Sequence, residues 1–530
     1  MIVVLIGLFL VISFVDGANL RVDPLVLINQ GLVRGRRATD GDYSKFLGVP
    51  YARVDNNNPF GAAESSPIFE EIIFNAYDGS AKCPQLDNSH SESETVDCLK
   101  LNLFVPTRAS SSDPLPVLVY IHGGDFSQGY AGEYGVKNLV RHGIIVVTIN
   151  YRLGPYGFMC LDVPTVSGNQ GLKDQQLALQ WIRTNINAFG GNPYNVTLAG
   201  QDAGAVSALL HLYADKQKLY HKVIIESSTP QTEGMFVDSD VNAAIKLAEY
   251  LGVNTSSSQE ALEFLSSAPH TLVTGAAKEL NLQLKPCKER SFSGVENFVE
   301  TDPYSLSNER KIRNTAVLIG HTNKEQISLD EFGNEYYESD PFYSKIANNF
   351  NLNEDTLTAV SQSIRHFYIG DKRISPEVAT QLEDFESDFV FNHPIQRTIS
   401  NLLKENANPI YEYMFSYVGN SGDEGAGHSA ELNYLFEMSD NVQTEEDQLM
   451  SDRITNLWAN FVKHGNPTPA GTSVVPVMWT PVSSSTRPYL VIDLEMRMDS
   501  RVFNERMAFW DLFYGNFGPY NKLIRECSLY

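Results

Sequence analysis

The feature that most constrains this chain's fold is a set of near-continuous β-branched runs. They are LPVLVYIHGG (Leu115 to Gly124), GIIVVTINYR (Gly143 to Arg152), HKVIIESS (His221 to Ser228) and TAVLIGHT (Thr315 to Thr322). A strand with one face in water alternates apolar and polar side chains; these runs do not, so both of their faces must be covered. Helical segments lie between them, such as GLKDQQLALQWIRTNINAF (Gly171 to Phe189), where Leu172, Leu179, Ile182 and Ile186 recur at helical spacing. Strand alternating with helix predicts an α/β fold with one largely parallel sheet coated by helices. The stretch from about 330 to 400 reads as helical and less regular. It is expected to cap the carboxyl ends of the strands, where sheets of this kind keep their sites.

No internal repeat or long low-complexity linker divides the 530 residues, and 42% hydrophobic with 11% aromatic content suffices for a large core. The 64 Asp and Glu against 40 Lys and Arg give a net charge of -24, which argues against nucleic acid or an anionic membrane as partner. Residues 1–17, MIVVLIGLFLVISFVDG, read as a signal peptide cleaved before Ala18, with an apolar run too short to span a bilayer comfortably. Residues 18–530 are then expected to form a single secreted domain, and the tail NKLIRECSLY carries no lipid-anchor signal.

The five cysteines fit an oxidising compartment. Cys83 and Cys98 enclose a polar loop of the kind a local disulfide closes. The odd count leaves a thiol over: Cys160, after an apolar stretch, is expected to be buried and free, while Cys527 could pair with Cys287 or with another chain. No spacing fits a zinc site, so no metal or cofactor is expected. Asn195 and Asn254 begin the plain glycosylation sequons; Asn195 abuts an expected buried strand, which favours Asn254.

The stretch NVTLAGQDAGAVSALL (Asn195 to Leu210) reads as strand, sharp turn, helix. It has the form of a nucleophile elbow, in which two flanking glycines let the backbone take a strained turn that exposes one side chain above the sheet. Serine hydrolases put Ser at that centre. This chain has Asp202.

The motifs FLGVPYARV, DCLKLNLFVP, VYIHGGDF, NYRLGPYGF, GNQGLKDQQLALQWIRTNINAFGGNPYNVTLAG, GHSAELNYLF and WANFVKHGNPTP occur in order from about residue 24 to 512. In these the chain resembles the type B carboxylesterase and cholinesterase family. The resemblance implies an α/β-hydrolase fold, a Cys83–Cys98 disulfide and a Ser-Glu-His triad. It also implies an oxyanion hole of backbone N–H groups from the H-G-G-x turn, here Gly123, Gly124 and Asp125, and from Ala203 after the elbow residue. By position, Glu325 matches the family's acid and His428 its general base, with Gln326 replacing the usual following glycine. The nucleophile does not match: Asp202 stands for Ser, Gln201 for the preceding Glu, Asp125 for the last residue of the oxyanion turn, and Ser228 for a Gly. Neither Ser207, in the helix behind the elbow, nor Ser227 and Ser228, at another strand end, has the position of a substitute.

Asp202 makes a poor nucleophile toward a carboxylic ester. The tetrahedral species would have to expel an alkoxide rather than return the carboxylate, whose conjugate acid has a pKa of about 3.9. Displacement at saturated carbon, on an epoxide or halide, is chemically possible but needs donors for the leaving atom. The expected outcome is a protein without serine-esterase activity that binds a small hydrophobic, ester-like or cationic ligand, or a protein partner. The alternatives are an Asp202-dependent hydrolase at saturated carbon and a residual ester hydrolase using water activated by His428.

Overall fold

Eleven strands form the central sheet of the computed structural model, which describes residues 24–87, 91–329, 332–333, 335–420, 422–438 and 444–524. The leader expected at residues 1–17 and Cys527 lie outside the described residues. In chain order the strands are β1 (Arg36–Arg37), β2 (Tyr43–Pro50), β3 (Lys100–Pro106), β4 (Leu115–Ile121), β5 (Ile145–Ile149) and β6 (Gly191–Gln201). They continue as β7 (Lys222–Glu226), β8 (Ala316–Thr322), β9 (Ile410–Phe415), β10 (Pro488–Ile492) and β11 (Arg497–Ser500). Their spatial order is β1-β2-β3-β5-β4-β6-β7-β8-β9-β10-β11. The pairs from β5 through β10 are all parallel, and antiparallel strands flank that block on both sides.

The runs without polar alternation are the strands of this parallel block, and their burial on both faces follows from two separate cores. Val117, Val119 and Ile121 of β4 join Val223, Ile225, Val317 and Ile319 in one core. The intervening Leu118 and Tyr120 join Ile224 and Leu318 in another, on the opposite face. The helix expected at 171–189 is Gln170–Asn185, which tightens to a 3-10 turn over Ile186–Phe189 and stops at Gly190, φ 79°. Arg152, just past β5, binds that helix through Asp174, Nη2 to Oδ1 at 2.7 Å, with both side chains fully buried. Its Nη1 also donates to the carbonyls of Pro59 and Gly61 at 2.9 and 2.7 Å, so every edge of the buried guanidinium is used.

The stretch expected as a cap contains helices Pro341–Asn349, Glu354–Ile369 and Ala379–Ser387, a π turn at Asp388–Asn392 and helix His393–Lys404. Phe342, Ile364 and Phe385 form a separate core with Trp510 and Phe513 of helix Asn504–Phe517. The last helix of the stretch departs from the expectation: Ile395, Ile399 and Leu402 pack into the sheet's own core, so His393–Lys404 flanks the sheet and caps nothing.

Two disulfides are present. Cys83–Cys98 closes the expected loop. The second, Cys160–Cys287, corrects the reading of Cys160 as a free thiol and of Cys287 as a partner for Cys527. The Asn169 side chain accepts from Cys287 N at 3.0 Å and donates to Cys287 O at 2.8 Å, drawing the segment around 287 onto the 160–169 loop. Gly168 is required there, since a Cβ would fall 2.6 Å from Cys160 Sγ and 2.9 Å from Cys287 Sγ. Among the described residues no helix is long and apolar enough to cross a membrane.

Candidate active site

The carboxyl ends of β4, β6, β7, β8 and β9 lead directly into the residues singled out from the sequence. Asp202 follows β6 with φ 54° and ψ -122°, and helix Ala203–Tyr213 starts immediately after it. The strained elbow is therefore retained around an aspartate. The sequence reading gave the flanking glycines the wrong task. Neither Gly200 nor Gly204 has a positive φ; Asp202 itself takes the left-handed conformation. What the glycines supply is clearance: a Cβ on Gly200 would lie 2.3 Å from the Gly204 carbonyl carbon, and one on Gly204 would lie 2.0 Å from Ile121 O. Asp202 N donates to Glu226 O at 3.0 Å, which ties the elbow to the end of β7.

The buried Asp202 carboxylate lies in the oxyanion turn. Its Oδ2 accepts from Gly124 N at 3.0 Å and from Asp125 N at 2.8 Å. These amides point inward because the turn after β4 runs through left-handed conformations at Gly124 (φ 96°) and Asp125 (φ 55°). Hydrogen bonds from backbone N–H to a carboxylate are charge-assisted and strong for their kind, so the chain's own side chain occupies the place of a developing oxyanion. Gly123 keeps the elbow close, since a Cβ there would sit 2.8 Å from Gln201 O; Ala203 is the buried first residue of the helix.

The structure brings Glu325 and His428 together as the sequence reading expected. His428 Nδ1 is 2.5 Å from Glu325 Oε2. The other carboxylate oxygen, Oε1, accepts from Ser227 Oγ and from Thr322 N, each at 2.8 Å. Ser227 was set aside as a nucleophile, and here it orients the acid. Burial works to lower the His428 pKa, but Glu325, and after it Asp202 and Glu431, outweigh burial and push it up to about 9. Burial raises the Glu325 pKa, and His428 more than reverses that, leaving it below the usual carboxylate range.

Gln201 was noted from the sequence only as a replaced glutamate, and its role is larger. Its amide lies 2.8 Å from His428 Nε2, the nitrogen a general base turns toward its nucleophile. The amide nitrogen faces Nε2, so it donates to a neutral His428. In this contact Nε2 is engaged, while Asp202 Oδ1 stands 4.0 Å away.

Asp125 does not point its charge into the turn. Its carboxylate forms an ion pair with Lys285, whose ammonium also binds the Asp125 carbonyl. Burial raises the Asp125 pKa, Lys285 opposes the rise, and Asp202 adds to it. Lys285 lies two residues before Cys287, which is bonded to Cys160. Ser207, buried, accepts from Gln175 at 3.1 Å and lies behind the elbow as expected; Ser228 is also buried, at the end of β7. Gln326 N donates to Ser387 Oγ at 2.9 Å, tying the loop of the acid to the cap. Phe391 of the π turn packs on the His428 ring with centroids 5.0 Å apart.

A cavity of about 310 Å³ opens beside Gly123, Gly124 and Gln201. Its walls include Lys82, Asp87, Tyr130, Glu133 and Tyr134 and are more polar than an ester pocket for greasy substrates requires. Among the described residues no group of three or more His, Cys, Asp or Glu could hold a metal ion. Asn254 is exposed, whereas Asn195 is half-buried in β6, where its amide is engaged by Lys222 and by the Lys463 carbonyl.

Residues 22–510 match the model of the Carboxylesterase family. The chain is 30% identical over 534 residues to Esterase FE4 of Myzus persicae, covering 91% of each chain. It is also 30% identical over 494 residues to Juvenile hormone esterase of Heliothis virescens, covering 83% of this chain and 85% of the other. Among solved structures it superposes on Juvenile Hormone Esterase from Manduca sexta with OTFP covalently attached, at a TM-score of 0.81 and 25% identity. That match covers 93% of this chain and 100% of the other.

Proposed function

The chain belongs to the carboxylesterase family, and on that premise we propose that it has lost serine-esterase catalysis and uses the former catalytic pocket for binding. The observation that carries this reading is Asp202 Oδ2, held by Gly124 N and Asp125 N. A substrate carbonyl would have to displace a carboxylate from these donors. Blocking a single oxyanion donor costs about a hundred- to a thousand-fold in rate, and loss of the serine about a million-fold. The engaged Nε2 of His428 adds to this, because water near Asp202 meets no free base. The polar walls of the adjoining cavity favour a small polar or cationic ligand over a hydrophobic ester.

A second reading, hydrolysis at saturated carbon, draws support from the same contact. With Oδ2 fixed, Oδ1 is left toward His428. Attack by Oδ1 would form an alkyl ester of Asp202 and break the bond to the leaving atom, which departs with the bonding electron pair as halide or as the alkoxide of the opened epoxide. Removal of the Asp202 charge would then lower the His428 pKa toward that of a base for water. Single turnover of epoxides and alkyl halides in oxygen-18 water separates the two readings. Binding without catalysis gives no product and no label in the Asp202 peptide, whereas one oxygen-18 in that peptide establishes the aspartyl route. Secretion is supported by the leader sequence and the two disulfides; intact-mass analysis should find the mature chain starting near Ala18 with sugar on Asn254.

A further inference from the structure

Helix His393–Lys404 has two faces of opposite character. Ile395, Ile399 and Leu402 are buried against the sheet. His393, Arg397, Ser400 and Lys404 recur at helical spacing on the other face, where they line a cavity of about 600 Å³ closed by Arg487, Asp511 and Tyr514. This cavity shares no lining residue with the one beside Asp202.

Two arginines here lack a carboxylate in direct contact. The Arg397 guanidinium is held by aromatic faces, 4.8 Å from the Tyr304 ring centroid and 4.2 Å from that of Tyr514, and by a hydrogen bond with Tyr304. Among the described residues, neither Arg397 nor Arg487 forms an ion pair with a carboxylate, while Arg506 on the neighbouring helix has two. Arg487 donates from Nη2 to Ser400 Oγ at 3.0 Å, and its Nη1 is buried with no acceptor. A buried charged donor left without a hydrogen bond is costly, and the Glu412 oxygen behind it, Oε2, is likewise buried without one. The carboxylate in the cavity, Asp511, is joined to His393 Nε2 at 3.1 Å and is also acted on by Arg487 and Arg397, whose charges help hold its pKa down. Behind Arg487, burial pushes the Glu412 carboxyl up to about 7, so it neutralises the guanidinium incompletely. In a chain of net charge -24, three cations, Arg397, Lys404 and Arg487, converge on one cavity that a single exposed carboxylate, Asp511, shares with them.

We propose that this cavity binds the phosphate or sulfate group of a monoester, with Arg487 and Arg397 as donors and Lys404 at the mouth. A tetrahedral oxyanion offers terminal oxygens to each cation separately, and planar guanidinium forks match such oxygens. A volume of about 600 Å³ leaves room for the organic part of an ester beside the anion.

The test is isothermal titration of the full-length protein at low ionic strength and pH 7 with inorganic phosphate, inorganic sulfate, glucose 6-phosphate and glucose 6-sulfate. One saturable site is expected, with at least one ester binding no more weakly than its inorganic ion; the preferred ester identifies the anion. Arg487→Met should weaken binding about tenfold or more. Because Arg487 also faces buried Glu412, the double variant Arg397→Met/Lys404→Met serves as a second test. It should keep its circular dichroism and melting temperature and weaken binding to a similar degree. The proposal is overturned if none of the probes gives saturable heat, if esters are excluded while ions bind, or if a folded double variant binds within twofold of wild type.

Discussion

Replacing Asp202 by serine removes three obstacles and leaves one. The substitution restores a hydroxyl on an elbow that already has the strained geometry, φ 54° and ψ -122°. It frees Gly124 N and Asp125 N from the carboxylate that now occupies them. It also removes an anion that helps hold the His428 pKa near 9. The remaining obstacle is Gln201, whose amide stays 2.8 Å from His428 Nε2. A hydrogen bond between neutral groups is worth about 0.5–1.5 kcal/mol, so releasing the neutral base by Gln201→Ala should add about two- to tenfold. Asp202→Ser alone should therefore hydrolyse short p-nitrophenyl esters weakly, and Asp202→Ser/Gln201→Ala about two- to tenfold faster in kcat/KM. The rate of the double variant should rise with pH through a His428 pKa below 9, and it should vanish on adding His428→Ala. Asp125→Gly should add little, because the Asp125 carboxylate is already turned to Lys285. A double variant that keeps its fold yet hydrolyses no faster than its His428→Ala derivative would refute the reasoning, because Glu325 and His428 would then not work as catalytic partners.

The other predictions concern stability and covalent structure. Because the folded-state pKa of His428 lies above its ordinary 6.5, at about 9, its contribution is complete below pH 6.5 and lost as pH rises through 9. The melting temperature of wild type relative to His428→Ala should accordingly fall over that window, and a constant difference would remove the linkage. Asp174→Asn leaves the fully buried Arg152 guanidinium uncompensated and should cost about 3–5 kcal/mol by denaturant unfolding. Peptide mapping without reduction should recover a Cys160–Cys287 linked pair. Cys287→Ser should cost about 2–5 kcal/mol and should also loosen Lys285 from Asp125.

The sequence made the sheet legible because strands covered on both faces must be apolar throughout, as Val117 to Ile121 are, and because these short β-branched runs alternate with longer helical segments. The elbow, Glu325 and His428 were legible because each lies within a local motif, the first two just past a strand end. Contacts across long separations were not. Lys285 reaches Asp125 across 160 residues, and Cys160 meets Cys287 across 127; neither partner carries a local signal, since each is set by how the chain returns to the sheet. The stretch from about 330 to 400 was legible as helical, but the placement of its last helix was not, because the apolar stripe of Ile395, Ile399 and Leu402 states that a face is buried without stating against what. Gln201 was legible as a substitution, but its contact with His428 depends on the side chain's direction from the end of β6. The direction of the Asp125 side chain depends on Lys285 and is not encoded in the turn itself.

The central claim is that position 202 holds a carboxylate in its own oxyanion turn in place of an activated nucleophile. Treatment of the purified mature protein with a fluorophosphonate, followed by intact-mass and peptide mapping, tests this most directly. Such reagents phosphonylate an activated serine beside a histidine base, and the elbow offers none. The account predicts an unchanged mass, with labelling appearing in Asp202→Ser and disappearing again in Asp202→Ser/His428→Ala. Stoichiometric labelling of the wild-type protein on any serine near His428, such as Ser227, Ser228 or Ser429, would contradict it.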